Sequence, residues 1–162
     1  MQALFEHSNS ESFFFCISEV HGGMVLIRIG KYENASDSFS TPQWVLDMFP
    51  RAFDPCPFNP EWDETHFNGL VDEWPDSGLI FINPPYSNVM PWIERAFNHK
   101  FECNMKGSKV TIVMLLKHDS STKWFAKLQE CGAKFLMFQG RLAFENADKK
   151  SPCGFPSILA VI

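Results

Sequence analysis

The chain has 162 residues with a formal net charge of −5; 45% are hydrophobic and 20% charged. That composition excludes disordered, collagen-like and coiled-coil classes, and the length is enough for one folded domain with a sizeable core. The longest apolar runs, such as Phe13 to Ile17, Ile112 to Leu116 and Ile158 to Ile162, fall well short of the roughly 20 residues that cross a bilayer, so no membrane partner is expected. The first residues carry Glu6 and Glu11 and lack the basic and apolar halves of a secretory leader, so a cytoplasmic location is expected. Five scattered cysteines (Cys16, Cys56, Cys103, Cys131 and Cys153) form no Cys-x-x-Cys pair, which predicts reduced, mostly buried thiols and no bound metal. The charge is uneven along the chain: residues 1 to 94 hold three basic against fourteen acidic residues, and residues 95 to 162 hold eleven against five. A polyanion would land on the C-terminal half; solvated helix faces are the other reading of the same charges.

In chain order, two runs rich in Phe, Val and Ile from Ser12 to Gly30 flank His21-Gly22-Gly23, a hairpin signal. Ser40-Thr41-Pro42 places a hydroxyl cap before a proline suited to a first helical turn. Trp44, Val45, Met48 and Phe49 are spaced to face one side of the helix that follows, which ends before Pro50. The apolar step Ala52-Phe53 predicts a short strand, left through Asp54-Pro55-Cys56-Pro57-Phe58-Asn59-Pro60, whose prolines require a rigid loop. Glu61 to Asp76 is acidic and aromatic without a clean period. Leu79 to Ile82 is a continuous apolar run halted by Asn83-Pro84-Pro85-Tyr86, the pattern of a buried parallel strand ending in a loop.

A helix over about Pro91 to Phe101 follows, with Trp92, Ile93, Ala96 and Phe97 on its apolar face. Val110 to Leu116 reads as a buried strand, Ser121 to Cys131 as a helix, and Lys134 to Phe138 and Ser157 to Ile162 as strands. This alternation predicts an α/β fold with a mainly parallel sheet covered on both faces. The last two strands have no helix between them, so they should pair as an antiparallel hairpin at the sheet edge, joined by a long polar loop from Leu142 to Pro156.

In open α/β sheets, ligands bind beyond the carboxyl ends of the strands. Pro84 and Pro85 stiffen one such end and remove two N–H donors, so Asn83 and the flanking carbonyls make a corner of acceptors. Such a corner suits a neutral amino group with two N–H donors, and Tyr86 adds a flat face for a planar ring. An ordinary proline turn is the plainer reading of Pro-Pro alone. Asp54 is a carboxylate at a strand end, fit to orient a cationic ligand or to cap a turn.

Asn-Pro-Pro-Tyr at a strand end is a signature of amino-methyltransferases that use S-adenosylmethionine. From about Ser40 to Ile162 the chain resembles the compact phage-type DNA N6-adenine methyltransferases, the phage Dam family. The resemblance is carried by Thr41-Pro42, Phe53-Asp54-Pro55-Cys56, Met114-Leu115-Leu116, Thr122-Lys123-Trp124-Phe125, Gly140-Arg141-Leu142-x-Phe144 and Phe155-Pro156-Ser157. It implies a compact Rossmann-like S-adenosylmethionine-dependent sheet with an antiparallel C-terminal hairpin. Residues 40–162 would be the methyltransferase domain, and residues 1–39 a β-hairpin extension outside the resemblance.

The implied activity is methylation of the N6 amino group of adenine in DNA. Asn83, Pro84, Pro85 and Tyr86 would be the catalytic corner. Thr41, Pro42, Asp54, Pro55, Cys56 and Asn83 would border the cofactor, with Asn68 and Asp72 serving its ribose and adenine. Tyr86 and Phe155 would enclose the target base, and Arg141, Lys149 and Lys150 would contact DNA. The resemblance implies no metal.

The sequence departs from the wider pattern in lacking Gly-x-Gly after Asp54. Only one crossover fits between Asp54 and Asn83, so the cofactor half is contracted. The chain has no insertion large enough for a separate target-recognition domain, so short or lax sequence specificity is expected. Methylation of RNA or of glutamine amides shares the same corner chemistry. A non-catalytic interaction module on a degenerate methyltransferase fold is a second class of reading, and a metal hydrolase at His118-Asp119 a weaker third.

Overall fold

The computed structural model describes residues 40–59, 61, 63, 65–145 and 150–162, together with the paired backbone of 14–20 and 23–29. Strands β1 (Phe14–Val20) and β2 (Gly23–Ile29) run antiparallel from Phe14 opposite Ile29 to Val20 opposite Gly23, as the Gly-Gly signal predicts. The turn residues His21 and Gly22, residues 30–39, and Lys149 lie outside the described residues.

The helix expected after Pro42 is a single turn, α1 (Gln43–Leu46), with Pro42 itself at the N-cap and no side-chain cap. The Pro42 carbonyl accepts from the Val45 and Leu46 amides at 2.9 and 3.3 Å. The turn does not extend because only Val45 is buried. Trp44 and Met48, expected on the inner face, are 53% and 51% exposed, and a helix this short persists only where packing holds it. The short strand expected at Ala52-Phe53 is likewise reduced to one parallel bridge, Phe53 to Ile80.

The remaining elements are β3 (Gly78–Ile82), α2 (Val89–Met105), β4 (Val110–Lys117), α3 (Lys123–Glu130), β5 (Lys134–Met137), β6 (Ala143–Glu145), β7 (Lys150–Pro152) and β8 (Ser157–Val161). Helix α2 outlasts its expected end because nothing breaks it before Gly107, whose φ of +73° and amide bond to the Asn104 carbonyl close the last turn. Thr122 caps α3, its Oγ1 accepting from the Phe125 amide at 3.3 Å.

The main sheet has the order β3-β4-β8-β5. β3 and β4 are parallel from Gly78 opposite Val110 to Ile82 opposite Met114, while β8 runs antiparallel to both β4 and β5. The expectation of a mainly parallel sheet is therefore corrected to a mixed one. The antiparallel pairing of the last two strands holds, but β5 is the edge and β8 lies inside. With no crossover helix after β5, the chain returns only in the opposite direction. The loop expected to be merely polar from Leu142 to Pro156 contains the antiparallel pair β6-β7 and buries Leu142 and Phe144.

Side chains alternate across the sheet with the two-residue period of β-strands. Ile80, Ile82, Ile112, Met114, Leu116, Ile158 and Ala160 face a core completed by Trp92, Ile93 and Ala96 of α2 and Phe125 and Leu128 of α3. Phe81, Val113, Leu115 and Leu159 face the other way, onto Val45, Leu142 and Phe144. Each fully buried apolar side chain contributes about 1.5–3 kcal/mol, so both faces are held. Among the described cysteines all four are free, and only Cys103 is fully buried. Cys131 is exposed and Cys56 and Cys153 are half-buried, which corrects the expectation of mostly buried thiols. No helix among the described residues is long and apolar enough to cross a membrane.

Candidate active site

The Phe53 bridge determines where the first expected loop lies. The Phe53 amide donates to the Leu79 carbonyl and its own carbonyl accepts from the Phe81 amide, both at 2.9 Å. Asp54 therefore leaves the sheet beside β3 and in the same direction, toward the end that carries Asn83. Asp54 Oδ1 accepts from the Cys56 amide at 2.8 Å, so the residue does cap its turn. No cation pairs with the carboxylate among the described residues. Burial raises its pKa from 3.8 to about 6 against the opposing effect of the Cys56 bond.

Pro55 is buried under Gly69, where an added Cβ would stand 2.0 Å from the Pro55 carbonyl oxygen. The turn holding Asn68 and Asp72 thus packs directly on the Asp54-Pro55 loop. Both side chains are engaged within that turn: Asn68 Oδ1 accepts from the Leu70 amide at 3.1 Å, and Asp72 Oδ2 from the Asn68 amide at 2.6 Å. Trp74 Nε1 donates to the Gly69 carbonyl at 2.7 Å, and Arg95 Nη2 donates to the Asp72 carbonyl at 3.0 Å.

At the end of β3, Asn83 is half-buried and its Nδ2 donates to Thr41 Oγ1 at 2.9 Å. Thr41 thus reaches the acceptor corner instead of capping α1. The Pro85 carbonyl accepts from the Asn88 amide at 3.0 Å in the approach to α2, whereas the Pro84 carbonyl has no such bond among the described residues. Tyr86 and Phe155 are brought together, ring centroids 5.3 Å apart at 80°, with Phe144 edge-on to Tyr86 at 6.3 Å. The Tyr86 hydroxyl is buried and finds no hydrogen-bond partner among the described residues, and burial pushes its pKa far up. Cys153 Sγ donates to the Phe155 carbonyl at 2.8 Å and steadies that aromatic wall.

A family model for DNA N-6-adenine-methyltransferases (Dam) matches residues 31–155. The chain belongs to this family. The DNA N-6-adenine-methyltransferase of Haemophilus phage HP1 is 33% identical over 100 residues, which cover 55% of this chain and 54% of the phage protein. The chain thus spans about half the length of that curated relative. No solved structure matches the chain.

Within this Dam-family chain, two features escaped the sequence reading. Lys117, the last residue of β4, holds its Nζ 5.0 Å from the Tyr86 ring centroid and 4.5 Å from that of Phe155, and forms no ion pair among the described residues. A lysine directly after the apolar run Ile112 to Leu116 was the available signal. On α2, Arg95, His99 and Cys103 recur every fourth residue and meet the segment before β3. His99 Nε2 lies 3.0 Å from the Pro75 carbonyl and 3.5 Å from Cys103 Sγ. Asp76 comes within reach of the same two groups and pairs with Lys106 at 3.4 Å.

Of the remaining expected residues, Arg141 is exposed after the left-handed Gly140, and Lys150 lies on β7 with only its backbone described. The His118 ring packs on Phe125, and the Asp119 carboxylate binds the Ser121 amide and hydroxyl, so this pair closes the loop into α3. That occupation leaves the hydrolase reading without support.

Proposed function

We propose that the protein transfers a methyl group from S-adenosylmethionine to the N6 amino group of adenine in DNA, with residues 40–162 as the transferring unit. The observation that carries this reading is the parallel bridge at Phe53, which sends Asp54 and Asn83 off adjacent strand ends in one direction. The mixed sheet is then a contracted Rossmann-like methyltransferase sheet, and family membership supports it.

The residues present fit the cofactor. A half-buried carboxylate with no cation among the described residues suits an α-ammonium, and a buried hydroxyl with no partner among them suits a ligand's polar edge. Asp54 would hold the ammonium, with Thr41, Pro42, Pro55 and Cys56 around it and the Asn68-to-Asp72 turn closing the side. When bound, S-adenosylmethionine supplies a methyl group on a positively charged sulfur.

The chain's own task is to orient the acceptor. Asn83 Oδ1 and the Pro84 carbonyl accept the two amino hydrogens and localise the nitrogen lone pair, while Pro84 and Pro85 offer no competing N–H. Tyr86 and Phe155 pack on the base and exclude water. Positioning of this kind supplies much of the acceleration, and neither a dedicated base nor a metal is assigned. A base in duplex DNA must be turned out of the stack to reach the corner. Lys117, Arg141, Lys149 and Lys150 supply cations for the backbone around it. A DNA substrate places the reaction in the compartment that holds DNA, the host cytoplasm for a phage-borne chain.

Incubation with methyl-labelled S-adenosylmethionine and DNA, RNA or protein, followed by nucleoside and amino-acid analysis, tests the reading. N6-methyladenine from DNA is expected. Label on RNA or glutamine, or no rise in Tm with millimolar cofactor, overturns it in favour of a different acceptor or an interaction module.

A further inference from the structure

We infer that Thr41 is a positioning residue for methyl transfer: its hydroxyl holds the Asn83 carboxamide by the nitrogen end and leaves the oxygen end for the amino group. The inference rests on the proposed function and assigns Thr41 a task distinct from the cofactor contact implied by resemblance. A carboxamide has nearly the same shape when rotated by half a turn, but only its oxygen end can receive an amino hydrogen. A hydroxyl can accept from the nitrogen end or donate to the oxygen end; an arriving amino group brings only donors and so selects the first arrangement, in which Thr41 anchors the nitrogen end while the oxygen end stays with the substrate.

Thr41 Oγ1 meets Asn83 Nδ2 at 2.9 Å across 42 residues of sequence. This is the only hydrogen bond of the Asn83 side chain among the described residues. Thr41 is well placed to keep that grip. As the residue before a proline it is confined to extended backbone, and as a β-branched residue it has few rotamers. Pro42 is buried and opens α1, and Val45 of α1 is buried in the same cluster as Phe81. Phe81 lies two residues before Asn83 on β3, so hydroxyl and carboxamide are referenced to one strand.

Thr41→Val keeps the shape and removes the hydroxyl, and Thr41→Ser restores it. For Thr41→Val the expected result is a fall in kcat of about tenfold, the equivalent of one hydrogen bond. Its Tm should stay close to that of the unmodified chain, its Kd for S-adenosylmethionine should change by less than kcat does, and Thr41→Ser should recover most of kcat. An unchanged kcat, or lost cofactor affinity with unchanged kcat at saturation, overturns the inference.

Hydrogen exchange of the Asn83 side-chain amide, followed by NMR in the ligand-free protein, reads the contact without any activity. Protection is expected in the unmodified chain and in Thr41→Ser and not in Thr41→Val; equal exchange in all three overturns the inference. Protection in a chain that transfers no methyl group would retain the contact and remove the function assigned to it.

Discussion

The parallel and antiparallel halves of the sheet are both well buried on their inner strands, yet they take different parts in the candidate site. On the parallel side, the Phe53 bridge, β3 and β4 end in Asp54, Asn83 and Lys117. On the antiparallel side, β8 begins where those strands end, with Ser157 opposite Lys117, and so brings Phe155 to the same rim on its way in. β5 pairs only with β8 and contributes a solvent-facing edge, with Leu136 59% and Met137 69% exposed. Parallel strands gather their carboxyl ends on one rim, where loops are free to carry chemistry. The antiparallel pair mainly completes the core and closes the aromatic wall.

The largest effect that sharpens this contrast is expected at Asn83. On the proposed function, Asn83→Ala should lower kcat/KM for methyl transfer by about a hundredfold or more, since it would remove the acceptor proposed to hold the amino group. Its thermal unfolding should change by only a few degrees, as measured by calorimetry beside the activity assay. Gly69→Ala tests the packing beneath the Asp54-Pro55 loop. Its new Cβ meets backbone 2.0 Å away, and a loss of about 1–3 kcal/mol in denaturant unfolding is expected, together with weaker cofactor binding.

Asp54 comes next, with a sign set by its raised pKa of about 6. The folded state binds this proton more tightly than the unfolded chain does. The resulting stabilisation is complete below about pH 4 and is lost as the pH rises through 6. Ligand-free Asp54→Asn should therefore lose less stability than the unmodified chain between pH 5 and pH 7.5, by about 1.4 kcal/mol. The smallest effect is expected on the antiparallel edge, where Leu136→Lys should leave kcat unchanged and shift stability by no more than about 0.5 kcal/mol. A large loss of activity there would erase the distinction between the two halves.

Much of this arrangement was legible in the amino-acid order because the governing patterns are local. The run Leu79 to Ile82 stopped by two prolines specifies both a strand and its end, and the five apolar residues from Ile112 to Leu116 specify a buried neighbour. What escaped depends on distant partners. Trp44 and Met48 have helical spacing yet remain about half exposed, Trp44 meeting Phe138 only edge-on at 5.7 Å. Leu142 and Phe144 look like loop residues until β6 lays them against the sheet. Lys117 acquires a meaning only when β8 brings Phe155 beside Tyr86, and Thr41 only when α1 docks against β3. Asn68 and Asp72 sit in the turn packed on the Asp54-Pro55 loop, and their side chains bond within that turn, which only the folded contact between Gly69 and Pro55 reveals.

The central claim is that the two adjacent strand ends form one site for a sulfonium cofactor, with Asp54 taking its ammonium group. Calorimetric titration with S-adenosylmethionine at pH 6, in buffers of different ionisation enthalpy, tests it most directly. An arriving ammonium should drive the half-protonated Asp54 to release its proton, so binding should release a fraction of a proton per cofactor in the unmodified chain and essentially none in Asp54→Asn. Absence of binding, or binding with the same proton balance in both proteins, would contradict the account.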